Sequence, residues 1–182
     1  MVEIIFEAHS TSLDNEAGKA SGCFDVELSK LGEKQARELG ERYKSQYLDV
    51  IFCSDLKRSY KTADIAFANY RFSIIRDPRI RECDYGDYTR RSSKEVDEVK
   101  EKFIDVAFPN GESFKDTNRR MKSFLTDLLD RYNSKRVMII GHRATQYALE
   151  CFVNGLSLKE AITASWKWQP GWVYCLEESH IK

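Results

Sequence analysis

Two mostly apolar runs of strand length constrain this chain more than any other feature. Val2-Glu3-Ile4-Ile5-Phe6-Glu7-Ala8 runs directly into His9, and Arg136-Val137-Met138-Ile139-Ile140-Gly141 runs directly into His142. Near-continuous apolar runs this short mark strands buried on both faces, as in a parallel sheet covered by helices. In such a sheet the carboxyl ends of the strands share one edge, and ligands bind in the crevice there. Two imidazoles delivered to one edge from opposite ends of the chain point to one catalytic site. The third histidine, His180, lies in a polar tail and is expected to be solvent-exposed.

The segments between these runs alternate in kind. Residues 10–28 carry Asn15, Gly18, Gly22 and Asp25 and read as a long loop, which inside a compact domain is usually functional. Ser29 is a natural N-cap for a helix reaching about Tyr47. Val50–Cys53 reads as a short buried strand, with Ser54 or Asp55 capping the helix that follows, and residues 72–75 read as a third strand. Regularity weakens over 76–111, which holds Pro78, Gly86, Pro109, Asn110 and Gly111 around a charged helical stretch, 93–103. An amphipathic helix is expected over Phe114–Tyr132, a helix over 144–153 and an edge strand over 173–176. The 136–140 run is the most hydrophobic and is placed at the sheet centre. The order predicts an α/β fold, a doubly wound three-layer α/β/α sandwich with a mostly parallel sheet. We read residues 1–182 as one domain, with a small cap segment at about 78–112.

Composition removes several function classes. The 182 residues suffice for one substantial core. Acidic and basic residues balance at 29 each, so no global positive field favours nucleic acid. No apolar stretch approaches the roughly 20 residues of a membrane span, and no leader-like segment opens the chain, so a cytoplasmic location is expected. The five cysteines are scattered without a C-x-x-C pair, which argues for unpaired thiols rather than a disulfide framework or zinc site. Trp166, Trp168 and Trp172 cluster near Pro170 and read as core packing or a dimer contact in preference to a pocket wall.

Phosphoryl transfer needs a nucleophile in line with the leaving oxygen, cations around the equatorial oxygens and an acid for the leaving group. His9 and His142 end their strands, Arg58 lies at the start of the helix after Cys53-Ser54-Asp55, Glu82 precedes Gly86, and Asn15 follows His9 in its loop. No Walker loop, H-E-x-x-H or G-x-S-x-G motif is present. The ordered set resembles the histidine phosphatase superfamily, with its phosphoglycerate-mutase-like fold. Leu28-Ser29-Lys30-Leu31-Gly32-Glu33-Lys34-Gln35-Ala36 is similar to the family's L-T-x-x-G-x-x-Q-A helix start. Residues 53–63 are similar to its S-S-x-x-R-A-x-x-T-A signature. Glu82 to Gly86 matches its E-x-x-x-G acid loop, Gly111-Glu112-Ser113 its G-E-S, and Ile140-Gly141-His142 its second-histidine strand. The resemblance spans about residues 2–155.

This resemblance implies a phosphomonoester hydrolase acting on a small phosphorylated metabolite. His9 would attack phosphorus and become phosphohistidine. Arg58 and His142 would hold the phosphoryl oxygens, with Asn15 adding a hydrogen bond. Glu82 would protonate the leaving alcohol and then activate water. The family uses no metal or other cofactor, and neither nucleic acid nor membrane is an expected partner, although a homodimer is compatible. One position departs from the pattern. The family's arginine immediately before the nucleophilic histidine is Ala8 here, and the glycine after it is Ser10. Arg143, directly after His142, is a candidate replacement, and Arg81 is a second. Without a cation at position 8, His9 is expected to titrate higher than it would beside an arginine. The alternative function is a weak or silent relative that binds a phosphorylated ligand or a protein partner.

Overall fold

The computed structural model describes residues 1–181. The first strand, β1 (Val2–Ala8), leads through a short helix, α1 (Leu13–Glu16), into α2 (Lys30–Tyr43). Next come β2 (Val50–Cys53), α3 (Lys57–Ala66) and β3 (Ile74–Arg76). An irregular stretch containing α4 (Ser93–Val99) precedes α5 (Phe114–Tyr132), β4 (Arg136–Gly141), α6 (Arg143–Asn154), α7 (Leu158–Thr163) and β5 (Trp172–Leu176). The strands form one sheet in the order β3-β2-β4-β1-β5. β3, β2, β4 and β1 run parallel, and β5 pairs antiparallel with β1 at the edge. β4 is central, as its hydrophobicity requires.

Side chains alternate across the sheet and build the three layers. Ile4, Phe6, Phe52, Val137 and Ile139 meet Met121, Phe124, Leu125 and Leu128 of α5 and Ala148 and Leu149 of α6 on one face. Ile5, Ile51, Met138 and Ile140 meet Leu39 and Tyr43 of α2 and Ala63 and Ala66 of α3 on the other. A third cluster joins Cys83, Tyr85, Val96 and Phe108 to Phe114, Tyr147, Ala161 and Ile162, so the 80–112 segment packs over the carboxyl edge on α5, α6 and α7.

Several boundaries differ from the sequence reading. The 10–28 loop contains α1, because Ser12 and Asn15 form a capping box. α2 stops at Tyr43 rather than Tyr47. α3 has Leu56 as N-cap with no side-chain cap, because Ser54 and Asp55 bond elsewhere, as described below. α7, capped by Ser157 and Glu160, escaped the sequence pattern because it spans under two turns. His180 is half-buried, its Nδ1 accepting the Glu177 backbone N–H at 3.2 Å. All five cysteines are free. Among the described residues no helix is long and apolar enough to cross a membrane.

α2 and α3 pack with their backbones almost touching at Gly40. A Cβ there would stand 2.1 Å from the Ala66 carbonyl oxygen, a backbone atom that cannot swing aside. Gly40→Ala is therefore expected to destabilise the fold by about 1–3 kcal/mol through overpacking, despite the better helix propensity of alanine. Urea denaturation measures this, and a variant as stable as the parent would show that the helices separate freely.

Candidate active site

The pairing of β1 with β4 sets the site. Ala8 and Gly141 are register partners, and the ladder continues with His9 N–H donating to the Gly141 carbonyl at 3.0 Å. The two histidines that follow these strands consequently lie side by side, with ring centroids 4.9 Å apart. They line a cavity of about 810 Å³ at the carboxyl edge, a size suited to a small ligand. Asn15, Arg58, Glu82 and Arg143 line the same cavity. The six side chains singled out from the sequence thus share one space.

His9 has a defined tautomer. Its Nδ1 lies 2.7 Å from the Ser10 carbonyl, which can only accept, so Nδ1 carries the proton and the Nε2 lone pair is left free. Ser10 is fixed in turn by its N–H, which donates to Thr62 Oγ1 at 3.0 Å. Burial, reinforced by the Arg58 charge, pushes the His9 pKa down to about 3. Burial and Arg58 thus lower the His9 pKa without any cation at position 8.

His142 is also held neutral, first by burial and then by Arg58. Its Nε2 lies 2.7 Å from Ser54 Oγ. That hydroxyl also accepts the Leu56 N–H at 3.3 Å and has no other acceptor within hydrogen-bond distance among the described residues, so its own proton is satisfied only by Nε2. The proton of His142 then resides on Nδ1, which is buried and has no hydrogen-bond partner among the described residues. An unpaired buried donor is costly, and a bound oxyanion would satisfy it.

Arg58 is only 2% exposed. Its guanidinium donates to the Phe24 carbonyl at 2.9 Å and the Gly22 carbonyl at 2.6 Å, both in the loop after α1. These acceptors are neutral, so they orient the cation without neutralising it, and burial lowers its pKa from the usual guanidinium range.

Glu82, 7% exposed, has both carboxylate oxygens on backbone N–H groups. Oε1 accepts from Cys83 at 2.8 Å and Ala144 at 3.1 Å, and Oε2 accepts from Arg143 at 3.1 Å. The candidate acid therefore also caps the first turn of α6. Asn15 gives its carboxamide oxygen to Ser12, accepting the N–H at 3.0 Å and the hydroxyl at 2.9 Å. Only its amide nitrogen remains as a donor. Arg81 is absent from the cavity lining and clasps Asp55, with Nε 2.6 Å from Oδ1. Arg143 stays at the cavity, its guanidinium carbon 4.7 Å from the centroid of Trp166 and 5.1 Å from that of Tyr147.

Sequence reasoning missed several contributors. Ser54 lies within the 53–63 signature, but as a helix cap. Trp166 and Trp168 wall the cavity rather than filling a core, and only Trp172 packs inward, on Phe6 at 5.7 Å. Glu7, 1% exposed in β1, also borders the cavity and accepts the Tyr43 hydroxyl at 2.8 Å, and burial raises its pKa. An acid inside a buried strand run was the signal available for it. Among the described residues no group of three or more His, Cys, Asp or Glu side chains could hold a metal ion.

Comparison with known proteins agrees with this geometry. Residues 4–179 match the family model of the histidine phosphatase superfamily, branch 1, and the chain belongs to that superfamily. It is 34% identical over 172 residues to phosphoserine phosphatase 1 of Hydrogenobacter thermophilus, covering 88% of this chain and 80% of that protein. It is 30% identical over 155 residues to an uncharacterized phosphatase of Bacillus subtilis, covering 85% and 79%. Both relatives are named as phosphatases. Among solved structures, YhfR of Bacillus stearothermophilus superposes with a TM-score of 0.84 at 21% identity, over all of both chains.

The depressed pKa values have a direct readout. The imidazoles of His9 and His142 are expected to remain neutral at pH 5, with His9 protonated at Nδ1, in long-range proton–nitrogen NMR spectra. Both unfolded imidazoles take up protons near pH 6.5, so these two sites contribute a loss of stability as pH falls below that value. Protonation of folded His9 at pH 6 would contradict the burial argument.

Proposed function

We propose that this protein is a phosphomonoester hydrolase that works through a phosphohistidine on His9. The supporting observation is an imidazole anchored through Nδ1 on the Ser10 carbonyl with Nε2 left free, sharing one cavity with buried Arg58 and the unpartnered Nδ1 of His142. In the first step the Nε2 lone pair attacks phosphorus, and the P–O bond to the alcohol breaks. The leaving oxygen takes a proton from the Glu82 carboxyl. In the second step Glu82, now a carboxylate, removes a proton from water as its oxygen attacks phosphorus. The P–N bond breaks and its electron pair returns to Nε2, releasing phosphate. Arg58 and the His142 Nδ1–H stabilise the equatorial oxygens in both steps, and the amide nitrogen of Asn15 supplies a further donor. No metal or other cofactor enters these steps.

Arg143 serves in this reading as the second cation of the phosphate site. The family's arginine position is Ala8, whose register partner Gly141 has no side chain, and Arg143 stands two residues beyond that partner. The substrate is a small phosphorylated metabolite. The relationship to phosphoserine phosphatase 1 makes phosphoserine the first compound to test. A second reading, a relative that binds phosphorylated ligands with little turnover, draws on Ala8 and on the use of both Glu82 oxygens as helix caps. We place the protein in the cytoplasm and regard residues 78–112 as a cap on a single domain.

Rapid quench into alkaline detergent after mixing with a phosphorylated substrate distinguishes the readings, because a phosphohistidine survives base and is lost in acid. Acid-labile phosphate is expected on the parent protein and is expected to be absent from His9→Ala, together with all turnover. Turnover retained by His9→Ala would remove the mechanism, whereas binding without any phosphoenzyme on the parent would establish the silent reading.

The replacement role of Arg143 has its own test. An arginine contact to phosphate is charge-assisted, so Arg143→Ala is expected to weaken inorganic phosphate binding by about 10- to 100-fold. Ala8→Arg is expected to change it little. The opposite pattern, with Ala8→Arg tightening binding and Arg143→Ala silent, would mean that the position left by the family arginine is unfilled.

A further inference from the structure

Arg143 occupies an electrostatically awkward place. It is the first residue of α6, where the helix dipole disfavours a cation. Its side chain is long, and a free guanidinium would lose considerable freedom on engaging an anion. Two aromatic side chains hold it at the cavity. Tyr147, one turn along α6, accepts a hydrogen bond from Nη2 at 3.1 Å and lies under the guanidinium at 5.1 Å. Trp166, from the segment between α7 and β5, lies 4.7 Å away with its ring toward the same guanidinium.

The aromatic clamp is itself anchored. The Trp166 indole N–H donates to Gln146 Oε1 at 2.9 Å. Its ring stacks on Trp172 with centroids 6.0 Å apart and 24° between planes, and Trp172 packs on Phe6 of β1. Tyr147 packs edge-on against Phe114 at 5.9 Å. The guanidinium is therefore tied through aromatic contacts to both the sheet and α5. Trp166 is 41% exposed, yet its position is set by these contacts and it borders the cavity.

We infer that Trp166 is a positioning residue of the phosphate site, holding Arg143 in its anion-binding pose in place of the strand-borne arginine that position 8 lacks. The inference rests on the reading of Arg143 as a phosphate ligand given above. A strand arginine is oriented by the sheet beneath it. An arginine at a helix start needs a separate support, and the stack of Trp172, Trp166, Arg143 and Tyr147 supplies it. The cation–π contacts leave the edge of the guanidinium, where its N–H donors lie, open to an anion.

Inorganic phosphate binding, measured by calorimetry, tests this without requiring turnover. Trp166→Leu is expected to weaken binding roughly 3- to 10-fold, the range for releasing one ordered side chain, and Trp166→Phe to restore most of that loss. Trp166→Leu is expected to have no added effect in an Arg143→Ala background, because its action passes through that arginine. Gln146→Leu, which frees the indole anchor while leaving the ring, is expected to weaken binding in the same direction and serves if Trp166→Leu fails to fold. Parent-like affinity in Trp166→Leu and Gln146→Leu, or an equal further loss in the Arg143→Ala background, would overturn the positioning role. If Arg143→Ala itself binds like the parent, the inference falls with the Arg143 assignment. The His9 mechanism is judged separately, by phosphoenzyme trapping.

Discussion

The structure depends on the parallel pairing of β1 with β4. These strands lie at opposite ends of the chain, and pairing them carries a loop-closure cost that local contacts cannot offset. Burial on both faces compensates, because Ile4, Ile5, Phe6, Val137, Met138, Ile139 and Ile140 are all nearly inaccessible to solvent. The side-chain period fixes the register, since a one-residue slip would turn Glu7 and its neighbours to the wrong faces. With the register fixed, His9 and His142 leave the sheet next to each other. Every other site group is arranged around this pair.

The electrostatics of the resulting pocket centre on Arg58 and the two histidines. One buried guanidinium lies near two imidazoles that burial keeps neutral. Its ligands are neutral carbonyls, so its charge remains available, and the Nδ1 proton of His142 points at no protein acceptor. Such an arrangement is unfavourable for the empty fold and favourable for an anion. Stability and binding therefore oppose each other here, as they commonly do where a site is preorganised.

Side chains serve the site and the scaffold together. Ser54 leaves the start of α3 without a side-chain cap and sets the His142 tautomer. Glu82 caps α6 while standing at the cavity, and Ser10 orients the imidazole of the residue before it. A change at any of these positions alters local structure and site electrostatics at once. The clamp on Arg143 extends this economy to the 164–171 segment, which ties the end of the sheet to the site.

What the sequence by itself determined is the architecture and the membership of the site. Strand-length apolar runs identified β1, β2 and β4, amphipathic spacing identified α5 with its limits, and the ordered motifs pointed to His9, Arg58, Glu82 and His142, which share one cavity. These signals are local, because burial on two faces or one is written in periodicity. Only the tertiary structure decided where each polar group directs its hydrogen bonds. Ser54 and Asp55 look like caps in sequence, yet one turns to His142 and the other to Arg81. Asn15 spends its carboxamide oxygen on Ser12, and Trp166 meets Arg143 across a gap in sequence that no periodicity spans. Hydrogen-bond partners and cation–π contacts depend on distances of a few ångströms between remote segments, and those exist only after the sheet has closed.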